Sequence, residues 1–491
     1  MVKSVVGEET QLKSAEDRLS RSSITAEVGI LVGKLSSHLD RGFVYNLIPT
    51  PPTDGGNPAC SLKSESGGRE DRKKGSKGGK ASTEAISSLL IDGEWVAEHA
   101  RQVSRMLLGG MSVIGIYVWS SEASFKATSA SLLAQAIRVV AQAAPSLESE
   151  TNERLLIHIS YSPKRWACRS CAVASVDLRP CDFKMSKLLA LLQTYRCMYS
   201  FDIRIPVFKD LVSISNTFKN VLCNGISRHA KELLSARALL DGKLVIENQQ
   251  VSSAGTHNVE LLLPFKSDAQ HESSDDIAGL VVFRGAICAY AYLSPKEPTS
   301  QAISDLKNDI INSLKSRLDI LLDEGEDTLD MASNDLGKEC GEIVTRKPIH
   351  QLLLHKLRKP LVLTFPRRVL IPWLSDVFIC DYLLPFETFE DLKDRCRELL
   401  SMEAPVESSA LLELETEASS PTMASSFWDL VNGNPLSSIE KTKNRSHSTT
   451  KNSSIQSKNF YFNFQVALFV LLVAFLIGGS ITVINPAKVV H

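Results

Sequence analysis

No phosphate-binding loop of the Gly-x-x-x-x-Gly-Lys-[Ser/Thr] type interrupts this 491-residue sequence, and no Gly-x-Gly-x-x-Gly turn joins a strand to a helix. Without them, the two commonest ways of cradling a nucleotide's phosphates at a helix N-terminus are missing. A His-Glu-x-x-His zinc helix and a Gly-x-Ser-x-Gly nucleophile elbow are missing as well, which excludes locally encoded zinc proteases and α/β-hydrolases. Neither sign of charge is in excess: 55 Lys and Arg meet 56 Asp and Glu, so the chain lacks the basic balance of a nucleic-acid binder. Ten cysteines run from Cys60 to Cys396 without framework spacing, as expected of reduced cytosolic thiols. The tightest group, Cys168-Arg-Ser-Cys171 with Cys181 and Cys197 downstream, lacks the second close pair of a zinc knuckle and reads as structural thiols. None of the ten histidines has a local partner; His99, beside Glu98, reads as a satisfied imidazole. Neither a cofactor nor a metal is expected. The enzyme alternative is a cysteine hydrolase using Cys168, Cys171 or another thiol with a distant histidine, since such constellations meet in space rather than in sequence.

One long hydrophobic run stands out. From Val466 through Leu472 to Ile484 the chain reads VALFVLLVAFLIGGSITVI, nineteen residues without a charge. At about 1.5 Å rise per residue such a helix covers the roughly 30 Å hydrocarbon core of a bilayer. Phe460, Tyr461, Phe462 and Phe464 precede it where an aromatic belt sits. Lys441, Lys443, Arg445, Lys451 and Lys458 flank it on one side and Lys488 alone on the other, which places the large N-terminal body in the cytosol. No apolar signal segment opens the chain. The expectation is a tail-anchored membrane protein with its anchor at 460–484.

The remaining residues, in a chain that is 43% apolar and 23% charged, have a globular composition. The pattern predicts a mixed-sheet α/β sandwich: an N-terminal α/β domain over 1–250, a second over 251–402, and a flexible Ser/Thr-rich stalk over 403–459. Strands are expected at 28–33, 42–48, 111–119, 155–160, 201–205, 243–246, 259–263, 278–283, 286–293 and 377–382. A Gly-, Ser- and Lys-rich stretch over 53–84, with Arg69, Arg72, Lys73, Lys74, Lys77 and Lys80, reads as a flexible basic insertion. Val96, Ala100, Val103 and Leu107 form one stripe of a helix over 92–108, with Gly109-Gly110 as its left-handed cap. Further helices are expected near 122–143, 216–240 and 299–322, and from Thr388, where Asp391 completes a capping box. Both halves run apolar strand, turn, apolar strand, proline and amphipathic helix, an order compatible with internal duplication.

From Glu94 to Tyr117 the chain reads EWVAEHARQVSRMLLGGMSVIGIY, and this block closely resembles the odorant-response-abnormal-four-like family. Glu94, Trp95, Glu98, His99, Gln102, Ser104, Arg105, Gly109 and Gly110 carry the likeness. Gly-Ile-Leu-Val-Gly at 29–33, Thr50-Pro-Pro52, Arg368-Val-Leu-Ile-Pro372 and Cys380-Asp-Tyr382 follow the same order. The family often has proline at the position of Leu108, and the insertion at 53–84 is particular to this chain. The resemblance implies trafficking rather than catalysis: a membrane adaptor, at the endoplasmic reticulum, for client membrane proteins such as G-protein-coupled receptors. It also implies a link to recruitment of a ubiquitin-fold-modifier protease. The opening elements resemble an MPN (deubiquitinase-like) domain. An active metalloprotease of that class needs a His-x-His pair after the last strand, where this chain has Tyr117-Val-Trp-Ser-Ser-Glu122, so a non-catalytic scaffold is implied.

The anchor can be tested directly. Alkaline carbonate should leave the full-length protein in the membrane pellet and release a variant lacking 460–491. Leu472→Arg, near the centre of the run, should divide between the two fractions, because arginine there weakens insertion by about 2.5–3.5 kcal/mol.

Overall fold

Val28, Ile30 and Val32 lie in one apolar cluster and Leu31 in another, so the strand Glu27–Ser36 (β2) needs cover on both faces. The computed structural model, which describes residues 2–36, 38–63, 87–145, 153–175, 177–208, 218–245, 255–264, 277–334, 361–402, 411, 412 and 415, shows how both faces are covered. The chain divides into two units, Met1–Thr422 and Met423–His491. Every described residue lies in the first, and the expected anchor with Val466, Leu472 and Ile484 lies outside the described residues. Among those described, no helix is long and apolar enough to cross a membrane.

The first strand is Ser4–Glu8 (β1), followed at once by helix Glu9–Arg21 (α1). Neither was expected. Leu12, Ala15 and Leu19 recur at helical spacing, but charged residues around them hide the stripe. β1 lies between Arg41–Pro49 (β3) and Leu178–Ser186 (β9), parallel to both. It thereby closes a seven-stranded barrel that continues from β3 through β2, Ser112–Ser120 (β6), Glu153–Tyr161 (β7) and Lys164–Ala172 (β8) to β9. The α1 leucines pack with Leu31, Val44, Ile114, Tyr117 and Ile157 on one face of its strands. The opposite face packs helices Gly93–Met106 (α2) and Ala130–Ala143 (α4). A short hairpin, Cys60–Leu62 (β4) with Leu89–Ile91 (β5), brackets the basic stretch. The insertion expected at 53–84 is therefore partly structured at its start, and its basic cluster lies outside the described residues.

The single helix expected at 122–143 is two: Glu122–Ala127 (α3) ends where the Thr128 hydroxyl turns back onto the Ser124 carbonyl (2.8 Å), and Ser129 caps α4.

The second sheet has the order β12-β11-β13-β10-β14-β15. Its centre is a long antiparallel pair, Gln193–Phe208 (β10) with Ile277–Leu293 (β14). Arg237–Leu240 (β11), Lys243–Leu244 (β12), Thr256–Leu262 (β13) and Leu361–Leu363 (β15) complete it. Tyr195, Cys197, Tyr199, Phe201, Ile203, Ile205 and Val207 alternate into a core shared with helices Phe218–Leu234 (α5) and Thr299–Asn334 (α6). The sheets thus divide between Ser186 and Gln193 and not at residue 250, because β10 pairs with β14, 80-odd residues downstream, rather than with the strands before it. The two strands expected at 278–283 and 286–293 are one, running through Gly285. A closed barrel beside an open sheet of different strand order does not give the matching halves of a duplication.

The hairpin Arg367–Leu374 (β16) with Val377–Leu383 (β17) leads into helix Phe389–Leu400 (α7). Its capping box is formed as expected, the Thr388 amide donating to Asp391 at 2.7 Å. Leu412 exchanges two backbone bonds with Leu370 (3.0 Å each). Leu412, which falls within the stalk expected from residue 403, is therefore tied to the body.

Candidate functional site at the junction of barrel and sheet

Strand β14 has two buried faces in its C-terminal half. Ile287, Ala289 and Ala291 belong to the core of the second sheet, while Cys288, Tyr290 and Tyr292 belong to the core outside the barrel. A strand in that position must satisfy its edge amides without water. The Cys288 N–H donates to the Glu415 carboxylate (3.1 Å), Tyr290 to Asp309 (3.2 Å) and Tyr292 to the Gly109 carbonyl (3.0 Å). Each carboxylate is held by an arginine: Arg317 on Glu415 and Arg368 on Asp309, both at 2.5 Å. Arg368 is fully buried. Burial alone would weaken its proton affinity, but the Asp309 charge outweighs it and holds the guanidinium's pKa well above the usual value. Lys34, from the barrel, reaches Asp305 at 2.7 Å and Glu297 at 3.4 Å. There too the two carboxylates outweigh burial and keep the ammonium charged. A lone lysine inside the otherwise apolar run of β2 was the signal for this pair, and the sequence alone does not show its partners, more than 260 residues away.

The residues that carry the family likeness sit on α2 and the loop after it, at this junction. The stripe Val96, Ala100, Val103 and Leu107 is buried as its spacing predicts. Asp92 caps the helix through the Trp95 amide (3.1 Å), and the Trp95 indole N–H donates to the Pro51 carbonyl (2.8 Å). Glu94 is exposed in the first turn. Glu98 accepts from Arg101 and Gln102, and the Arg101 bond first of all holds its carboxyl down at about 2. Ser104 bonds back to the Arg101 carbonyl (2.8 Å), and the Arg105 carbonyl accepts from the Cys380 thiol (3.6 Å). His99 is a satisfied core imidazole. Its Nε2 faces the Leu399 carbonyl at 2.8 Å and must donate, which leaves Nδ1 to accept from Thr50 at 3.3 Å. Burial keeps it neutral by lowering its pKa.

Gly109 and Gly110 have φ of +71° and +82°, but the helix has already ended at Leu107, so they are not its cap. They let the chain touch the second sheet. A Cβ on Gly109 would lie 2.1 Å from the Tyr292 ring and one on Gly110 2.4 Å from Asp305.

Other chemistry-bearing groups meet elsewhere. Ser120, His158 and Glu122 line up at 3.2 and 3.9 Å, an order reminiscent of an acyl-transfer triad. The Ser120 hydroxyl is within bonding distance of the Ser121 carbonyl, to which it can only donate. His158 must then donate to it rather than accept its proton, and Ser120 is completely buried, out of reach of a substrate. Cys168 and Cys171, three apart on β8, point to opposite faces and belong to different cores, so they cannot share a metal. Cys168 instead lies opposite Cys181 on β9, and Cys197 is in the other sheet. Among the described residues no group of three His, Cys, Asp or Glu could hold a metal ion.

A family model described as ODR4-like, odorant response abnormal 4-like, matches residues 29–411. This chain belongs to that family. A human protein named Protein odr-4 homolog is 27% identical over 430 residues, covering 81% of this chain and 83% of its own length. Namesakes from Mus musculus and Dictyostelium discoideum are each 26% identical, over 81% and 80% of this chain and 82% and 79% of theirs. The crystal structure of UfSP from C. elegans overlaps 85% of this chain and 61% of that one at 7% identity, with a TM-score of 0.36, too low to argue a shared fold. The matched range of the family model begins in β2 and ends in the segment that returns to β16, so it includes every residue of the junction except Glu415.

Gly109→Ala should cost about 2–4 kcal/mol, since it adds left-handed strain to an overlap with Tyr292. Gly56→Ala, with φ of +76° and nothing within 4 Å of the new methyl, should cost only about 1–2 kcal/mol. Urea unfolding of the two variants in neutral detergent compares them; equal losses would mean that Gly109 is not a point of close approach.

Stability should also fall with acid. Burial pushes the His158 imidazole down to about 4, and lowers His99 as well. The unfolded chain takes up these protons near pH 6.5, so this contribution is complete above that pH and is lost as the pH drops towards 4. His158 accounts for up to about 3 kcal/mol over that window. Denaturation midpoints between pH 7.5 and 4.5 should show a shallower slope for His158→Gln than for the native chain.

Proposed function

We propose that this protein is a non-catalytic, tail-anchored adaptor that supports the trafficking or localisation of a subset of membrane proteins, G-protein-coupled receptors among them. The observation that carries the reading is the family match over 29–411, a family whose description refers to odorant response. The uncharged run 466–484 supports the membrane part of the reading, and the charge flanking it supports a cytosolic body at the endoplasmic reticulum. The absence of local catalytic motifs supports an adaptor, as does the burial of Ser120 and His158 in the triad-like trio. The barrel, whose β6 ends in Trp119-Ser120 and is followed by Ser121 and Glu122 without a histidine, acts in this reading as a scaffold. Tethering such a body to a membrane raises its local concentration beside clients without requiring any new contact.

Proximity labelling from the N-terminus of the full-length protein tests the proposal. Heptahelical receptors in transit should be enriched over a control carrying the anchor alone. Enrichment of a ubiquitin-fold-modifier protease without receptors would point to protease recruitment instead, and recovery of neither would overturn both readings.

A further inference from the structure

A buried cation without a carboxylate is costly, and the junction holds one. Arg154, the second residue of β7, is 5% exposed. Among the described residues its Nη atoms donate only to the carbonyls of Glu153 (2.9 Å) and Ala144 (3.3 Å), and its Nε has no acceptor. Burial, with nothing opposing it, lowers its affinity for its proton. The side chain lines a cleft of about 220 Å³ at the junction. Arg105, half-buried, lines the same cleft, and among the described residues no hydrogen bond is recorded for its guanidinium. Glu98 and Asp319 act on it only at longer range. Lys34 and Arg368 also reach the cleft, but Asp305 and Asp309 neutralise them. Among the described residues Arg154 therefore lacks a carboxylate and the Arg105 guanidinium lacks a hydrogen-bonded one, in a space bounded by the left-handed turn at Gly109 and Gly110.

We propose that this cleft binds a phosphate-type oxyanion between the guanidinium groups of Arg154 and Arg105. Guanidinium forks match the oxygens of such a group and form charge-assisted bonds with them, which would supply Arg154 with its missing counter-charge. The volume is below the ~300 Å³ at which sites for drug-sized ligands begin, so it suits a phosphate group rather than a whole nucleotide. That phosphate can come from a soluble ester or from a phospholipid headgroup. The inference does not rest on the adaptor reading.

The test uses the full chain in neutral detergent. Inorganic phosphate is titrated at fixed ionic strength with chloride as the control, and binding is read by calorimetry and by thermal unfolding. Two further arms use glycerol 3-phosphate and nanodiscs of phosphatidic acid against phosphatidylcholine. Saturable binding is expected, with Arg154→Met and Arg105→Gln each weakening it by about tenfold or more. Without phosphate, Arg154→Met should match or exceed the native Tm, because it removes an uncompensated buried charge, and phosphate should no longer raise it. Because Arg105 is half-exposed, Arg105→Gln tests the site without disturbing the core. Binding to glycerol 3-phosphate identifies a soluble source; binding only to phosphatidic acid identifies a headgroup. No saturable binding in any arm, or binding unchanged in both variants, overturns the proposal.

Discussion

The open edge of β14 is the constraint around which the described body is organised. Three alternate amides, at Cys288, Tyr290 and Tyr292, lie where two cores meet and water is excluded, and a neighbouring strand does not pair with them. Leaving each unpaired would cost about 1–3 kcal/mol. The chain answers with two carboxylates and one carbonyl, drawn from α6, from the segment after α7 and from the loop after α2. Each carboxylate accepts from a buried arginine as well as from the edge amide. The edge therefore fixes the positions of Asp309, Glu415, Arg317, Arg368 and Gly109 together.

The family-like block on α2 is dense in polar residues, and several of them hold other parts of the chain. The helix packs the barrel on its apolar stripe. With Trp95, His99, Arg105 and Gly109 it reaches, respectively, the Pro51 loop, the end of α7, β17 and β14. Four separate parts of the chain are registered against one helix. For a scaffold, this is the useful property: barrel and sheet hold a single relative arrangement.

Buried ion pairs rarely contribute much net stability, because desolvation offsets their attraction. Lys34 with Asp305 is better understood as setting register between the barrel and α6, and Arg368 with Asp309 as setting it between the β16–β17 hairpin and α6, since any other docking strands a charge. The same rule makes Arg154 an exception at the junction, a deeply buried cation whose described hydrogen-bond acceptors are carbonyls.

The sequence by itself determined what depends on local periodicity. The α2 stripe, the Thr388 capping box, the apolar strands at 28–33 and 42–48, and the mixed α/β class all follow from spacings of two, three and four, or from a side chain bonding its own backbone. The nineteen-residue uncharged run is equally local. Tertiary structure alone decided what depends on distant partners. The amphipathic stripe of α1 was hidden among charges, and β1 pairs with strands that follow it by some forty and 180 residues, so the closure of the barrel had no local trace. The division of the sheets was misplaced because β10 finds its partner in β14. At the junction, Lys34 and Arg368 were visible as residues, but Asp305 and Asp309 became their partners, and Glu415 that of Arg317, only through folding. Hydrophobic period encodes which face of an element is buried, whereas the pairing of buried charges is set by which faces meet.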